Sequence, residues 1–291
     1  MTTETLNPDI LAGQDATLAR LAADKSGVLG RIGTLETRIA RTASEVDAAQ
    51  AIRYRVFVEE MHAQVPPMAQ LKRRDIDAWD AICDHLLVLD TALEGDAEDQ
   101  IVGTYRLLRQ DVAMANGGFY SSSEFEVADL VARHPDKRFM ELGRSCVLPE
   151  YRTKRTVELL WQGNWAYALK HRIDVLFGCA SFSGSVPEEH ALALSYLHHN
   201  ARATGRWRVE ALPELEHSMD LMPAEAINPR KALAALPPLI KGYLRLGAMV
   251  SEGAVVDRAF RTTDVLIVLP IHTISERYRN YYGNDAGRFA G

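Results

Sequence analysis

"FMELGRSCVLPEYRTKRT", residues 139–156, reads as a strand that stops at a proline and a turn and then enters a helix. The strand is "FMELGRSCVL" (139–148). The helix runs on as "KRTVELLWQGNWAYALKHR" (154–172), with Val157, Leu160, Trp161, Trp165, Ala168 and Leu169 predicted on one apolar face. Strand–turn–helix joints of this kind often cradle a phosphate, because the first N–H groups of a helix have no partner within it. This turn, Arg152-Thr153-Lys154-Arg155-Thr156, contains no glycine and three cations.

Elements of both kinds lie on either side. Towards the C-terminus, "DVLFGCASF" (174–182) is an apolar strand and "PEEHALALSYLHHN" (187–200) a helix. A charged stretch follows after about residue 205, then a Pro-rich helical segment (229–250) and a last strand, "TTDVLIVLPI" (262–271). Towards the N-terminus, "HLLVLD" (85–90) and "IVGTYRLLR" (101–109) flank an acidic loop and read as a hairpin. In "SSSEFEVADLVARH", Ser123 and Glu126 form a capping-box pattern that predicts a helix start. "LETRIAR" (35–41) is a first strand, and Ser44 then caps a helix whose period is marked by Val46, Ala49, Ile52, Val56 and Phe57, stopped by "VPPM" (65–68). Residues 1–33 are polar, with at most a short helix near Ala16 to Ala23, and read as an arm. The order predicts a mixed α/β sheet flanked by helices, with a core over 34–222 and a C-terminal extension over 223–291 packed on it.

Composition narrows the function. The chain has 291 residues, 47% hydrophobic and 25% charged, with formal net charge −6, which does not favour nucleic acid as a partner. Cys83, Cys146 and Cys179 stand apart, each in an apolar run, and read as buried small hydrophobes rather than as a disulfide framework or metal site. The N-terminus has no signal-peptide pattern, and no run approaches the roughly 18 apolar residues of a membrane span, so a cytoplasmic location is expected.

Several charges sit where an ordinary core would not place them. Arg53 and Arg55 flank the apolar stripe of the first helix, and Asp77, Asp80 and Asp84 crowd just before a strand. Arg106, Glu141 and Arg144 lie inside strands, where an ionised group is costly unless paired. Either they are salt bridges at a sheet edge or they line a shared polar pocket.

These residues carry a resemblance. "IRYRVF" (52–57), "DAWD" (77–80), "GTYR" (103–106) and "ELGR" (141–144), in that order, resemble the acyl-homoserine-lactone synthases, whose fold is that of the GCN5-related N-acetyltransferases (GNAT). The matching positions are Arg53, Phe57, Asp77, Asp80, Arg106, Glu141 and Arg144. A tryptophan of that pattern is missing near "MHAQVPP", and the chain continues past the length of those enzymes. Its tail, "LPPLIKGYLRLGAMVSEGAVVDRAFRTTDVLIVLP", resembles a related branch, the L-ornithine Nα-acyltransferases, and this likeness spans roughly residues 35 to 280.

The resemblance implies transfer of a 3-hydroxyacyl chain from acyl carrier protein to the α-amine of L-ornithine, giving lyso-ornithine lipid. The donor would be the acyl-phosphopantetheine arm, with no tightly bound cofactor and no metal. In the GNAT donor loop glycines would stand at Arg155 and Val157, so the basic turn Arg152, Lys154, Arg155 suits the single phosphodiester of a carrier protein better than a coenzyme A pyrophosphate. Glu141 is the candidate base acting through water, and Tyr196 the candidate acid for the leaving thiolate. Backbone N–H groups at Cys146, Val147 and Leu148 are candidates for the oxyanion. Arg53, Arg106 or Arg144 would fork the substrate carboxylate, and Asp77 and Asp80 would take its side-chain ammonium, unless those aspartates only hold the arginines.

Two features stand aside from this scheme. Lys241 and Arg245 on a helix with Leu239, Tyr243 and Leu246 fit either a helix at the inner-membrane surface or one packed on the protein. His198 and His199, adjacent at a helix end, are expected not to face one ligand and receive no catalytic role. A lactone synthase using S-adenosylmethionine and a non-catalytic carrier-protein or membrane-binding module are the competing readings.

Overall fold

Residues 27–274 are described by the computed structural model, and they fall into two compact units. One takes residues 27–116 and 143–171, the other 117–142 and 172–274. The predicted helix near Ala16 to Ala23, and most of the arm, lie outside the described residues.

The first unit begins with strands β1 (Gly30–Ile32) and β2 (Leu35–Ile39), so the end of the expected arm is already sheet. Helix α1 (Ala43–Arg53) follows, and its cap is Thr42, whose hydroxyl accepts from Glu45 N at 3.1 Å. Ser44, the expected cap, instead donates to Glu98. Glu45 is buried and grips Arg38 of β2 through two bonds of 2.6 and 2.9 Å, fixing the helix to the strand before it. The apolar stripe of α1 continues into a π-helical turn, Tyr54–Glu60, and helix α2 (Pro67–Lys72) starts at Pro67, whose missing N–H costs nothing at a helix start.

Strands β3 (Asp84–Asp90) and β4 (Ile101–Arg109) form the expected antiparallel pair. The acidic connection holds a short helix, α3 (Ala97–Gln100), closed by reciprocal bonds of Asp96 and Asp99. Helix α4 (Gln110–Ala115) ends the first stretch of this unit.

Helix α5 (Val127–Ala132) belongs to the second unit, and no side-chain bond caps it. The Ser123–Glu126 pattern fails because Ser123 closes a 3-10 turn, donating to Tyr120 O, and Glu126 itself stands at the cap. Strand β5 (Phe139–Val147) gives residues to both units, and its later half precedes helix α6 (Lys154–Lys170) in the first.

The buried surface of α6 includes Leu160, Trp165 and Ala168 of the expected face but is wider than that face. Thr156, Leu159, Leu160, Gly163, Ala166 and Tyr167 are buried, while Val157 and Leu169 are about half exposed, at 51% and 45%. The reason is close approach to the sheet: a Cβ at Gly163 would lie 2.9 Å from Thr37 of β2 and 3.1 Å from Leu86 of β3. Strand order in this unit is β1–β2–β3–β4–β5.

In the second unit β5 pairs in parallel with β6 (Val175–Ser183), from Phe139–Val175 to Glu141–Phe177. Gly178 follows at φ +157°, where a Cβ would sit 2.1 Å from the Leu142 carbonyl oxygen. Then come helix α7 (Ala191–Ala201), strand β7 (Glu216–His217), helices α8 (Pro229–Ala235) and α9 (Pro238–Arg245), and strands β8 (Met249–Val250), β9 (Ala254–Asp257) and β10 (Thr262–Pro270).

Strand β10 is buried throughout and pairs with β6 along all nine of its residues, from Thr262–Ser183 to Pro270–Val175. The strand order is β5–β6–β10–β9–β7, with β8 also on β10. The segment after residue 222 therefore supplies a central strand of this unit.

Ile240 and Tyr243 of α9 and Leu246 just after it are buried, so the apolar side of the helix packs inside the unit. Among the described residues no helix is long and apolar enough to cross a membrane.

Candidate active site

Arg53, the last residue of α1, is fully buried at 0% exposure. Its guanidinium forks onto Asp80 at 2.7 and 2.9 Å, and its Nε donates to Asp75 at 2.8 Å. Asp80 sits in a 3-10 turn, Ala78–Ala81, capped by Asp77. Arg106 of β4 donates to Asp77 at 2.5 Å and to Asp80 at 3.2 Å. Arg144 of β5, held at φ +49°, pairs with Asp75 and Asp77 at 3.4 Å each. Gln50 donates to Asp80 at 3.0 Å, and the Nε2 of buried His85 lies 3.1 Å from the Asp80 carbonyl. Three guanidiniums thus meet three carboxylates.

The electrostatics follow from that balance. Burial alone would raise the Asp80 pKa, but Arg53 and Arg106 hold it far below the usual carboxylate range. Burial alone would lower the Arg53 pKa, and Asp80 and Asp75 outweigh it. His85 is kept neutral by burial, with Arg53 and Arg106 adding to the effect against the pull of Asp80. Burial pushes the neighbouring Cys146 thiol up to about 12, which leaves it no nucleophilic role.

Arg53, Asp80 and Arg106 are buried and ion-paired. Asp77 and Arg144 are the least enclosed, with side chains 23% and 13% exposed. Phe57 lies on the π-helical turn and is half-buried; Arg55 is exposed.

The basic turn divides its cations. Arg152 forks onto Glu60 with two bonds of 2.6 Å and donates Nε to the Val147 carbonyl at 3.0 Å. Thr153 caps α6 by accepting from Thr156 N. Lys154 and Arg155 are exposed, carry no ion pair among the described residues, and line an open cavity of about 520 Å³ with Thr153, Thr156, Tyr151 and Asp90. Unpaired cations at the start of a 17-residue helix can hold an anion.

The acetyltransferase (GNAT) domain family matches residues 52–162, the stretch that carries Arg53 through Arg152. An L-ornithine Nα-acyltransferase of Rhizobium meliloti is 77% identical over 270 residues, 93% of this chain and 91% of that protein. This chain belongs to the L-ornithine Nα-acyltransferase family. Another member, from Agrobacterium fabrum, is 67% identical across 100% of both chains. The chain is an acyltransferase of the GNAT fold, which sets aside the non-catalytic module. Among solved structures, an N-acyl amino acid synthase from uncultured soil microbes is 13% identical, with a TM-score of 0.45 over 82% of this chain and 91% of that one.

The other expected residues of this acyltransferase have partners of their own. Glu141, in the second unit, accepts from Tyr120 N and Ser121 N at 2.8 Å each, so its carboxylate caps the 3-10 turn Tyr120–Ser123. Arg106 and Arg144, of the first unit, meet through Asp77. The N–H of Leu148 donates to Val102 O at 2.9 Å, which removes it from the candidate oxyanion donors. Tyr196 lies half-buried on α7.

Two groups escaped the sequence reading. Glu124, Cys179 and Asp264 bring one ligand atom each within 4.8 Å of one another, and Cys179 Sγ lies 3.4 Å from Glu124. Cys179 is only half-buried by surface area, yet its thiol is pushed well up, first by desolvation and then by Glu124, Asp264 and Glu141. The signal was present: Asp264 interrupts the apolar run "TTDVLIVLP". In the second group the missed residue is Asp220, which the Nε2 atoms of His198 and His199 approach at 3.9 and 3.2 Å. Adjacent helix positions are about 100° apart, but Asp220 lies within reach of both imidazoles, so the expectation that they cannot face one group fails.

Proposed function

We propose that this acyltransferase moves a 3-hydroxyacyl chain from the phosphopantetheine thioester of acyl carrier protein to the α-amine of L-ornithine, giving lyso-ornithine lipid. The observation that carries the reading is the near full-length identity to enzymes named for that amine and that position. No observation favours the lactone-synthase reading.

In the reaction the α-ammonium first loses a proton, and the amine nitrogen attacks the thioester carbonyl carbon. As the tetrahedral oxyanion collapses and the C–S bond breaks, the nitrogen gives up a second proton, and the amide remains. Glu141 is the base, acting through water, with its carboxylate oriented by the N–H groups of Tyr120 and Ser121. Tyr196 returns a proton to the leaving thiolate. Lys154 and Arg155 hold the donor phosphodiester and meet the acidic surface of the carrier protein.

Asp77 and Asp80 are engaged by arginines, so the side-chain ammonium goes elsewhere. Glu124 and Asp264, gathered at the half-buried Cys179, are the carboxylates assigned to it. The donor brings its own phosphopantetheine, so no tightly bound cofactor is required. The product partitions into a bilayer, and peripheral contact with the cytoplasmic face of the inner membrane is part of this proposal.

Lipids extracted from a bacterial host that lacks ornithine lipids and expresses this chain test the reading by mass spectrometry. A new 3-hydroxyacyl-ornithine species is expected. Soluble protein with no acylated amine would overturn it, and an acylated amine other than ornithine would move the substrate.

A further inference from the structure

The last turn of α7 and the segment after β7 bring unlike donors together. His199 Nε2 lies 3.2 Å from Asp220 Oδ1, His198 Nε2 lies 3.9 Å from Asp220 Oδ2, and the three ligand atoms fall within 4.8 Å of one another. The rings stand edge to face at 88°, with centroids 5.0 Å apart, so both Nε2 lone pairs can converge without the rings stacking.

The donors are held by the fold. Ser195, one turn earlier on α7 and fully buried, accepts from Leu221 N at 3.0 Å and ties the Asp220 segment to the helix that carries both histidines. Ser218 Oγ accepts from Asp220 N at 3.1 Å and sets the start of that segment.

We propose that His198, His199 and Asp220 form a binding site for a divalent cation of the zinc class, separate from the acyl-transfer chemistry. Two imidazoles and one carboxylate are the donor set such ions prefer, with water completing a tetrahedron. Donors around tetrahedral zinc lie about 3.3 Å apart, given Zn–N near 2.0 Å. The His199–Asp220 pair already has that spacing, and His198, whose Nε2 lies 3.9 Å from the other Asp220 oxygen, closes the rest by rotation of a side chain 17% exposed.

His199 Nε2 also lies 3.1 Å from the Met222 carbonyl. Taking a metal moves the neutral ring's proton to Nδ1 and leaves that carbonyl beside the ion. A bound ion would cross-link the end of α7 to residues 218–222, which stabilises the folded state alone and therefore raises Tm.

The test uses the full, untagged chain after treatment with a chelator, titrated with zinc chloride by calorimetry and followed by thermal melting. One saturable site is expected, with Tm rising by about 5 °C at zinc a hundred-fold above its Kd. Asp220→Asn and His199→Gln should each weaken binding at least ~10-fold and remove most of the Tm rise, a loss of one ligand from three. His62→Gln, at an exposed histidine of the other unit, should leave both unchanged. The metal-free variants should melt like the metal-free parent, since the site is at the surface. No saturable uptake, or uptake that survives both substitutions, would overturn the proposal.

Discussion

Removing the Asp80 carboxylate would leave Arg53 charged in a site with 0% exposure and only Asp75 to answer it. Loss of one partner from a buried pair costs about 3–5 kcal/mol. Asp80→Ala should therefore lower the unfolding free energy by that amount in guanidinium chloride, and its damage should appear in stability before it appears in the KM for ornithine. His85 gives a pH signature at the same place. Its folded pKa is depressed, chiefly by burial. Below about pH 6.5 the unfolded chain binds a proton there that the folded chain does not. Stability should fall as pH drops through that region, by up to about 1.4 kcal/mol per pH unit from this group. Asp80, whose folded pKa is also depressed, loses its contribution only far lower, below about pH 4. Melting His85→Gln at pH 7 and pH 5 should show a shallower slope than the parent; an equal slope would remove His85 as the cause.

Helix α6 carries its predictions as an element. Alanine at an ordinary helix glycine gains about 1 kcal/mol. At Gly163 the added Cβ meets Thr37 at 2.9 Å, and overpacking of that kind costs about 1–3 kcal/mol. Gly163→Ala should lower Tm, against its helix propensity. At the start of the same helix, Lys154→Ala with Arg155→Ala should raise the KM for acyl carrier protein about ten-fold at low salt, with the difference shrinking as salt is added. Arg152→Ala removes an exposed pair with Glu60 and should cost no more than ~1 kcal/mol of stability. Helix α6 shows what periodicity leaves open: apolar residues cover more than one stripe, and the glycine that lets the helix approach the sheet buries Leu159, Ala166 and Tyr167 beside the expected Leu160, Trp165 and Ala168.

For the whole molecule, the segment after residue 222 reads in the sequence as an extension, but β10 places it inside the second unit. A chain ending at residue 222 would strip β6 of all nine residue pairs with β10 and expose an apolar strand edge. It should be insoluble or lack a cooperative melt, while the full chain melts cooperatively. α9 illustrates the same dependence. Its basic and apolar sides fit a bilayer surface as well as a protein core, and burial of Ile240, Tyr243 and Leu246 shows the core taking the apolar side.

The sequence by itself determined the order and type of the main elements, the mixed sheet, and the family, because hydrophobic periodicity and ordered motifs are local properties of the chain. It also pointed to Arg53, Asp77, Asp80, Arg106 and Arg144 as a group, because charges inside apolar elements demand partners. Only the tertiary structure decided which partners. It gave Asp80 to Arg53, gave Glu141 to the N–H groups of Tyr120 and Ser121, gathered Glu124, Cys179 and Asp264, and set Asp220 before two histidines. Those pairings join residues far apart in the chain, and their geometry is set by strand register, helix approach and turn caps that no local pattern encodes.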